Sequence, residues 1–208
     1  MSINQASYVR RCLICADNTD LEITRVVHAR SVVRVLTAYL LGETVSQVSL
    51  SLLTTKIVPA LVTLSSDPDV TVKTATIPVF GSLLLNQTKK EVQDKTYFQL
   101  QTFLSDESLL ENHAAQVTLI STLGRIAPAS LAWFREDAIA PQLCSWASSL
   151  PLLQSSTRKQ DVLLALLDAY SNVLYTSLSP NTINSYMLPG LRRVNVRAQR
   201  FGLAVMQV

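Results

Sequence analysis

The residues that could carry chemistry are few, and their spacing does not assemble them into a site. Cys12 and Cys15 form a CxxC pair, which is the spacing of redox dithiols and of one half of a structural zinc site. Neither use is supported, because no second ligand pair and no strand–helix context follows in the sequence. We therefore interpret both cysteines as small apolar residues on a short helix predicted over residues 6–16.

The histidines and the paired acids are equally isolated. His28 stands among valines and His113 has no cluster of carboxylates nearby in the sequence, so neither is expected to bind a metal. Two pairs of adjacent acids stand at predicted helix starts: Asp106-Glu107 and Glu136-Asp137. Such pairs do not establish acid–base catalysis, and no hydrolase, nucleotide-binding or zinc-protease motif is present. We predict no catalytic residue, no cofactor and no metal site; an enzyme with an unrecognised site stays open as a third hypothesis.

Composition indicates an all-α protein. Apolar residues make up 48% of the chain and aromatic residues only 6%, and there are five glycines. The length of 208 residues allows one sizeable core or about five repeat units. The three cysteines are too few for a disulfide framework and odd in number, which predicts a reducing compartment.

Charge is spread unevenly and argues against nucleic acid as a partner. The net charge is +3, with four arginines and no acid in residues 186–208 and five arginines against three acids in residues 1–34. No continuous basic stripe with interleaved aromatic residues is present. No signal peptide is visible, and the most apolar window, residues 45–64, is interrupted by Lys56 and Pro59. No membrane-spanning helix is therefore predicted.

The elements that would build a binding surface are amphipathic helices, and the clearest pair is predicted over residues 46–64 and 68–86. Each collects apolar residues on one face at three- and four-residue steps: Leu53, Ile57, Ala60, Leu61 and Leu64, then Val72, Ala75, Val79, Phe80 and Leu83. Asp67 is predicted to cap the second helix with Pro68 at its first position, and Pro78 is predicted to bend it. A single hairpin cannot bury both faces, so it needs neighbours of its own kind.

Copies of this hairpin are predicted from recurring prolines and glycines. The three prolines stand in similar settings: Ile57-Val58-Pro59-Ala60-Leu61, Ile139-Ala140-Pro141-Gln142-Leu143 and Met187-Leu188-Pro189-Gly190-Leu191. Gly81 and Gly124 are 43 residues apart, and Gly124 is predicted to permit a close helix approach. A period of roughly 40–47 residues with two helices per unit is typical of HEAT and armadillo repeats. We predict an α-α superhelix, a HEAT/armadillo-like solenoid of about four to five helical hairpins.

The other predicted helices are less sharply bounded: residues 20–41, 88–104, 113–127, 130–148, 158–176 and 180–193. The first is predicted to begin at Thr19 or Asp20 and to stop at Gly42. Its buried face is predicted to hold four residues: Val26, Val33, Leu36 and Leu40. Residues 105–112 are predicted to form a polar turn. Residues 149–157 are predicted to form a flexible loop.

The aromatic residues of the segment 130–148 admit two interpretations. The segment holds Trp133, Phe134, Ile139, Leu143 and Trp146. They are predicted to form core, and a peptide-binding groove is the functional alternative.

The central hairpin also resembles a known family. Pro59 to Pro68 and Ala75-Thr76-Ile77-Pro78-Val79-Phe80-Gly81 are similar to the C-terminal HEAT region of the RELCH family of Rab-binding proteins, which combine LisH, coiled-coil and HEAT segments. Further similar pieces follow in order: Leu123-Gly124-Arg125, Phe134-Arg135-Glu136-Asp137, Asp168-Ala169-Tyr170-Ser171 and Leu188-Pro189-Gly190-Leu191-Arg192. The resemblance covers about residues 50–193. It suggests a division into a HEAT-repeat solenoid, residues 1–193, and a divergent basic and apolar tail, residues 194–208.

The resemblance implies a non-catalytic adaptor. Its expected partners are the GTP-bound form of a recycling-endosome Rab GTPase and an oxysterol-binding protein, and its expected role is to promote cholesterol transfer from recycling endosomes to the trans-Golgi network. The expected location is cytoplasmic and peripheral at these membranes. No binding residue is carried over from the family. This chain has no LisH motif and no coiled-coil heptads, which makes it look like a fragment.

Two further questions stay open on the sequence alone. A general HEAT scaffold of the phosphatase-scaffold or transport-receptor type is the alternative function. The tail could be a capping helix, a membrane-surface helix or a divergent end. The first and last helices lack polar caps, so self-association or fraying through these ends is predicted.

Overall fold

The computed structural model describes residue 26, residues 28–150 and residues 157–200, and these residues are all-α. The described part contains nine helices, three of which include a π-helical segment. Their bounds are α1 Ser31–Thr44; α2 Leu50–Leu52, Leu53–Ile57 (π) and Val58–Ser65; α3 Val70–Asn86; α4 Lys90–Ser105; α5 Glu107–Glu111; α6 His113–Ile126; α7 Ala132–Phe134, Arg135–Ile139 (π) and Ala140–Ser149; α8 Thr157–Leu174; and α9 Pro180–Thr182, Ile183–Met187 (π) and Leu188–Arg200. None of these helices is both long and apolar enough to span a bilayer.

The chain forms two compact units, and the first runs to Phe103. Within it, α3 packs along α1 and against α2. The ten residues predicted to face the core of this hairpin, five on each helix, are all buried. Phe103 at the end of this unit meets Phe80 edge-to-face, with ring centroids 5.7 Å apart. The three- and four-residue spacing therefore identified the buried faces of α2 and α3 correctly.

The structure differs from the prediction of a helix over residues 20–41. Residues 28–30 are not helical, and α1 begins at Ser31 and continues through Gly42 to Thr44. Leu36, predicted to be buried, is 52% exposed, and Val33 and Leu40 are half-buried. The buried face of α1 is instead formed by Thr37, Ala38, Leu41 and Thr44. Small residues face α3 because the two helices lie close together at Gly42.

The predicted cap of α3 is also wrong. Asp69, not Asp67, is the N-cap: its carboxylate accepts a hydrogen bond from the Thr71 N–H at 2.9 Å. The helix begins at the next residue, Val70. Asp67 is 7% exposed and binds the Arg34 guanidinium through both carboxylate oxygens, at 2.6 and 2.9 Å. Pro68 consequently lies in the turn before the helix. Arg34, a half-buried residue 33 positions away, binds the aspartate that local spacing assigned to the cap.

The three repeated prolines lie in the same local backbone structure. Pro59, Pro141 and Pro189 each stand two residues after a five-residue π-helical segment. At the end of each segment the backbone N–H bonds to the carbonyl five residues earlier, as Val58 does to Leu53. A proline inside a helix lacks an N–H and crowds the carbonyl four residues before it, and the wider π turn relieves both problems. The repeat predicted from these prolines is thus matched by a local structure that the sequence analysis did not foresee.

Other prolines are accommodated differently. Pro78 lies within α3 without an adjoining π segment, and the bend predicted there stays a prediction. Pro128 lies in a short 3-10 turn, Ala127–Ala129, which ends α6 as predicted. The helix opened by Pro180 continues to Arg200, beyond the predicted end at Arg193.

The second unit begins at Leu104. Its α6 packs along α8, while α9 packs against α7 and α8. Gly124 lies at the contact between α6 and α8, as predicted: a Cβ at this position would be 2.6 Å from the Cα of Ala169. The predicted polar turn at residues 105–112 contains a short helix, α5, which Asp106 caps through the Ser108 N–H.

Several predictions fall outside the described residues. They concern the helix at residues 6–16 with Cys12 and Cys15, the cap at Thr19 or Asp20, the centre of the loop at residues 149–157, and the end of the tail beyond Arg200.

Candidate functional site

The histidines and acidic residues that the sequence singled out lie at separate places among the described residues. No group of three or more histidine, cysteine or acidic residues is placed for metal binding within residues 28–150 and 157–200. His28 accepts a hydrogen bond from the Arg30 N–H. His113 lies 3.5 Å from the Asp161 carboxylate, at a surface where Asp161 is largely exposed. The exposed apolar surfaces of the second unit offer candidate sites for interaction.

A shallow groove runs between α6 and α8 in the second unit. It is lined by residues of both helices: His113, Ala114, Val117, Thr118, Ser121, Asp161, Leu164 and Ala165. The two helices touch at Gly124 and Ala169, and the groove lies toward the opposite, N-terminal ends of both. Its one strongly exposed apolar side chain is Leu164, 49% exposed.

A second candidate surface lies where α7 begins and α8 ends. Four exposed apolar residues form it, and we call it the aromatic edge: Leu131 (50% exposed), Trp133 (43%), Leu174 (43%) and Tyr175 (88%). The prediction that the aromatic residues of this segment are core holds for Phe134, Ile139, Leu143 and Trp146, which are buried. It is wrong for Trp133, which is exposed and whose ring meets Phe134 edge-to-face with ring centroids 5.5 Å apart.

Arg135 ties the two halves of the aromatic edge together. Its guanidinium donates to the Ser130 carbonyl just before α7 and to the Ser177 carbonyl, at 3.4 Å, just after α8. Ser177 follows Tyr175 by two residues, and Arg135 follows Trp133 by two. The turn before α7, at residues 127–129, also packs against α8. The exposed residues on both segments are thereby held at one edge of the unit.

Glu136 holds the next helix beside the same edge. Its carboxylate accepts hydrogen bonds from the Ser179 N–H at 2.9 Å and from the Thr182 hydroxyl at 3.1 Å, at the N-terminus of α9. Hydrogen bonds from Ser179, and then from Thr182, hold the pKa of Glu136 below its usual value. The adjacent acids Glu136 and Asp137 thus have separate surroundings: Glu136 bonds another helix, and Asp137 is exposed.

Two of the arginines near the C-terminus form hydrogen bonds with groups of the fold. Arg197 is 9% exposed and donates to the Leu150 carbonyl at 2.5 Å, at the C-terminus of α7. Arg193 donates to the Ser148 hydroxyl at 2.7 Å. Gly190 allows α9 to approach the buried Tyr170, since a Cβ there would lie 1.8 Å from the tyrosine hydroxyl oxygen. Burial raises the pKa of that hydroxyl above its usual range.

No residue of the α6–α8 groove was predicted from the sequence to bind a partner, and Trp133 of the aromatic edge was a binding candidate only under the alternative of a peptide-binding groove. The signal for the aromatic edge was present but ambiguous, because Trp133 and Phe134 are neighbours and adjacent helical residues face different directions. The burial of Phe134 therefore does not place Trp133 in the core.

Comparison with known proteins gives a consistent family. The family model described as the RAB11-binding protein RELCH C-terminal domain matches residues 21–204, a longer stretch than the predicted resemblance over residues 50–193. The chain is similar to the RAB11-binding protein RELCH of Mus musculus, at 34% identity over 167 residues, and to that of Homo sapiens, at 33%. It is also 33% identical to the RELCH homolog of Xenopus tropicalis.

The matched regions cover 80% of this chain but only 14% of those relatives, so the chain spans a small part of their length. No solved structure matches it.

Proposed function

The chain belongs to the RELCH C-terminal domain family, and on this premise we propose that it is a non-catalytic adaptor that binds a RAB11 GTPase in its GTP-bound form. The observation that carries the proposal is the family match over residues 21–204, together with relatives described as RAB11-binding proteins. The exposed apolar surfaces of the second unit supply the kind of contact that an adaptor needs.

The proposal includes a finer arrangement. Successive helical hairpins would stack as a HEAT-like solenoid, which the repeated π-turn and proline device in α2, α7 and α9 supports. Such folds present extended surfaces whose partners touch several repeats. Through the family resemblance the proposal extends to peripheral association with recycling endosomes and the trans-Golgi network, and to oxysterol-binding-protein-dependent cholesterol transport between them.

A nucleotide-dependent pull-down tests the proposal. RAB11 is immobilised with either a GTP analogue or GDP, and capture of the chain is measured after circular dichroism shows it to be helical. Capture by the GTP-analogue form alone is the expected result. Failure of the folded chain to bind either form would contradict the proposal and favour the general HEAT scaffold.

A further inference from the structure

The aromatic edge has the composition of a protein-binding hot spot. Trp and Tyr are the residues whose truncation most often weakens protein complexes, because they bury a large area at little conformational cost. Tyr175 is 88% exposed, and Trp133, Leu131 and Leu174 are each at least 43% exposed. Leaving such side chains in water has an unfavourable free energy that burial against a partner would remove.

The edge is also held in place before any partner binds. Arg135 bonds carbonyls on both sides of it, and Glu136 bonds the first residues of α9. Both side chains are thereby committed to groups of the fold. A surface fixed by such contacts loses little conformational freedom on binding, which strengthens association.

Charge restricts what can cover the edge. Asp137 follows Trp133 by four residues, about one helical turn, and its carboxylate is exposed. Arg135 in the same segment uses its guanidinium for carbonyls of the fold. The complementary partner therefore presents an apolar surface with a lysine or arginine beside it.

We propose that the aromatic edge, with Asp137 at its rim, is the surface on which the GTP-bound RAB11 GTPase docks. This inference rests on the proposed function and adds the residues that would carry it. The GTPase would cover Trp133 and Tyr175 with apolar side chains and place a basic residue near Asp137. The groove between α6 and α8 would then take no part in this contact.

Substitutions at the edge test the inference by titration with RAB11 loaded with a GTP analogue. Tyr175→Ala is the main variant, because so exposed a side chain contributes little to folding, and Trp133→Ala is the second. Each is expected to weaken binding by at least about tenfold with an unchanged unfolding midpoint for Tyr175→Ala. Asp137→Lys is expected to weaken binding most at low ionic strength.

Two control variants remove exposed apolar residues that are not part of the edge. Phe98→Ala removes a ring that is 70% exposed in the first unit, and Leu164→Ala removes a side chain 49% exposed in the α6–α8 groove. Both are expected to bind within about threefold of the parent chain.

The outcomes separate the inference from the proposed function. GTP-dependent binding that survives both edge variants would overturn the inference alone, as would loss of binding in Leu164→Ala only. Absence of binding by the unaltered chain would overturn both. If Tyr175→Ala instead abolished binding to anionic lipid vesicles and left GTPase binding unchanged, the edge would be a membrane contact and the inference would be wrong.

Discussion

The two units use glycine at the same kind of helix contact but against different atoms. In the first unit, a Cβ at Gly42 would lie 2.9 Å from Cγ2 of Val79, the tip of a side chain on α3. In the second, a Cβ at Gly124 would lie 2.6 Å from the Cα of Ala169, which is backbone of α8. Val79 can yield only by a small shift, because a β-branched side chain strongly prefers one rotamer in a helix, and the backbone of a packed helix yields less. Substitution of the glycine at this kind of helix contact is therefore expected to cost less in the first unit than in the second.

The largest effects are expected where the units are alike. Leu61 and Leu143 each stand two residues after a repeated proline, and both are fully buried. Leu61→Ala and Leu143→Ala are each expected to lower the free energy of unfolding by about 2–5 kcal/mol through lost burial and a residual cavity. Urea denaturation measures both, and a loss below about 1 kcal/mol in only one would show that the two positions are not equivalent.

Gly124→Ala is expected to come next in size. Alanine gains up to about 1 kcal/mol of helix propensity over glycine, but its methyl group would force α6 and α8 apart. A net loss of about 1–3 kcal/mol in the free energy of unfolding is expected. Ala169→Gly should restore little of it, since the nearest atom is the Cα that this change retains. Complete rescue in the double variant would mean that the side chain, not the backbone, sets the approach.

Gly42→Ala is expected to change the free energy of unfolding by less than about 1 kcal/mol, because helix propensity and the displacement of Val79 oppose each other. A double-mutant cycle with Val79→Ala should show favourable coupling, since the smaller side chain vacates the space that the new methyl group needs. Additive effects would indicate that contact with Val79 does not limit the size of the side chain that position 42 can accept.

The smallest effects are expected for two carboxylates at helix N-termini, Asp69 and Glu136. They are measured as the pH dependence of the free energy of unfolding. Asp69 caps its own helix through the Thr71 N–H, whereas Glu136 bonds Ser179, the N-cap residue of α9, from 43 residues away. The hydrogen bonds lower the pKa of both carboxyls, so their contribution is present above the usual pKa and is lost as pH falls through the lowered one.

Chemical denaturation between pH 7 and pH 3 should therefore show a smaller loss of stability for Glu136→Gln than for the parent chain. Asp69→Asn keeps a good capping residue and should cost less than Glu136→Gln at pH 7. The reverse order would show that the link between α7 and α9 contributes less than a local cap.

Local periodicity predicted what depends on local packing. The buried faces of α2 and α3 follow from apolar spacing alone, and the π turns lie where the repeated prolines interrupt a helix. The two wrong predictions have a common cause. Asp67 binds Arg34 instead of capping α3, and Ala38 and Leu41, rather than Leu36, are buried on α1. Both outcomes depend on which distant helix packs against the segment. The spacing of residues within one segment does not identify that helix.

The candidate surface was less predictable than the fold for a related reason. Trp133 and Tyr175 belong to segments 42 residues apart, and only the helix order together with the contacts of Arg135 brings them to one edge. Exposure, not residue type, distinguishes Trp133 from the buried Trp146. A sequence can show that two tryptophans lie near opposite ends of one predicted helix, but the packing of α7 decides which one remains in water.

The most direct test of the central claim is an isothermal titration of the chain with RAB11 in its two nucleotide states. The account predicts saturable binding to the GTP-analogue form and at least about tenfold weaker binding to the GDP form, because the GTPase switch segments are ordered only with the γ-phosphate in place. Equal affinity for both forms, or no heat of binding from a chain that unfolds cooperatively, would contradict the claim that this domain reads the state of the GTPase.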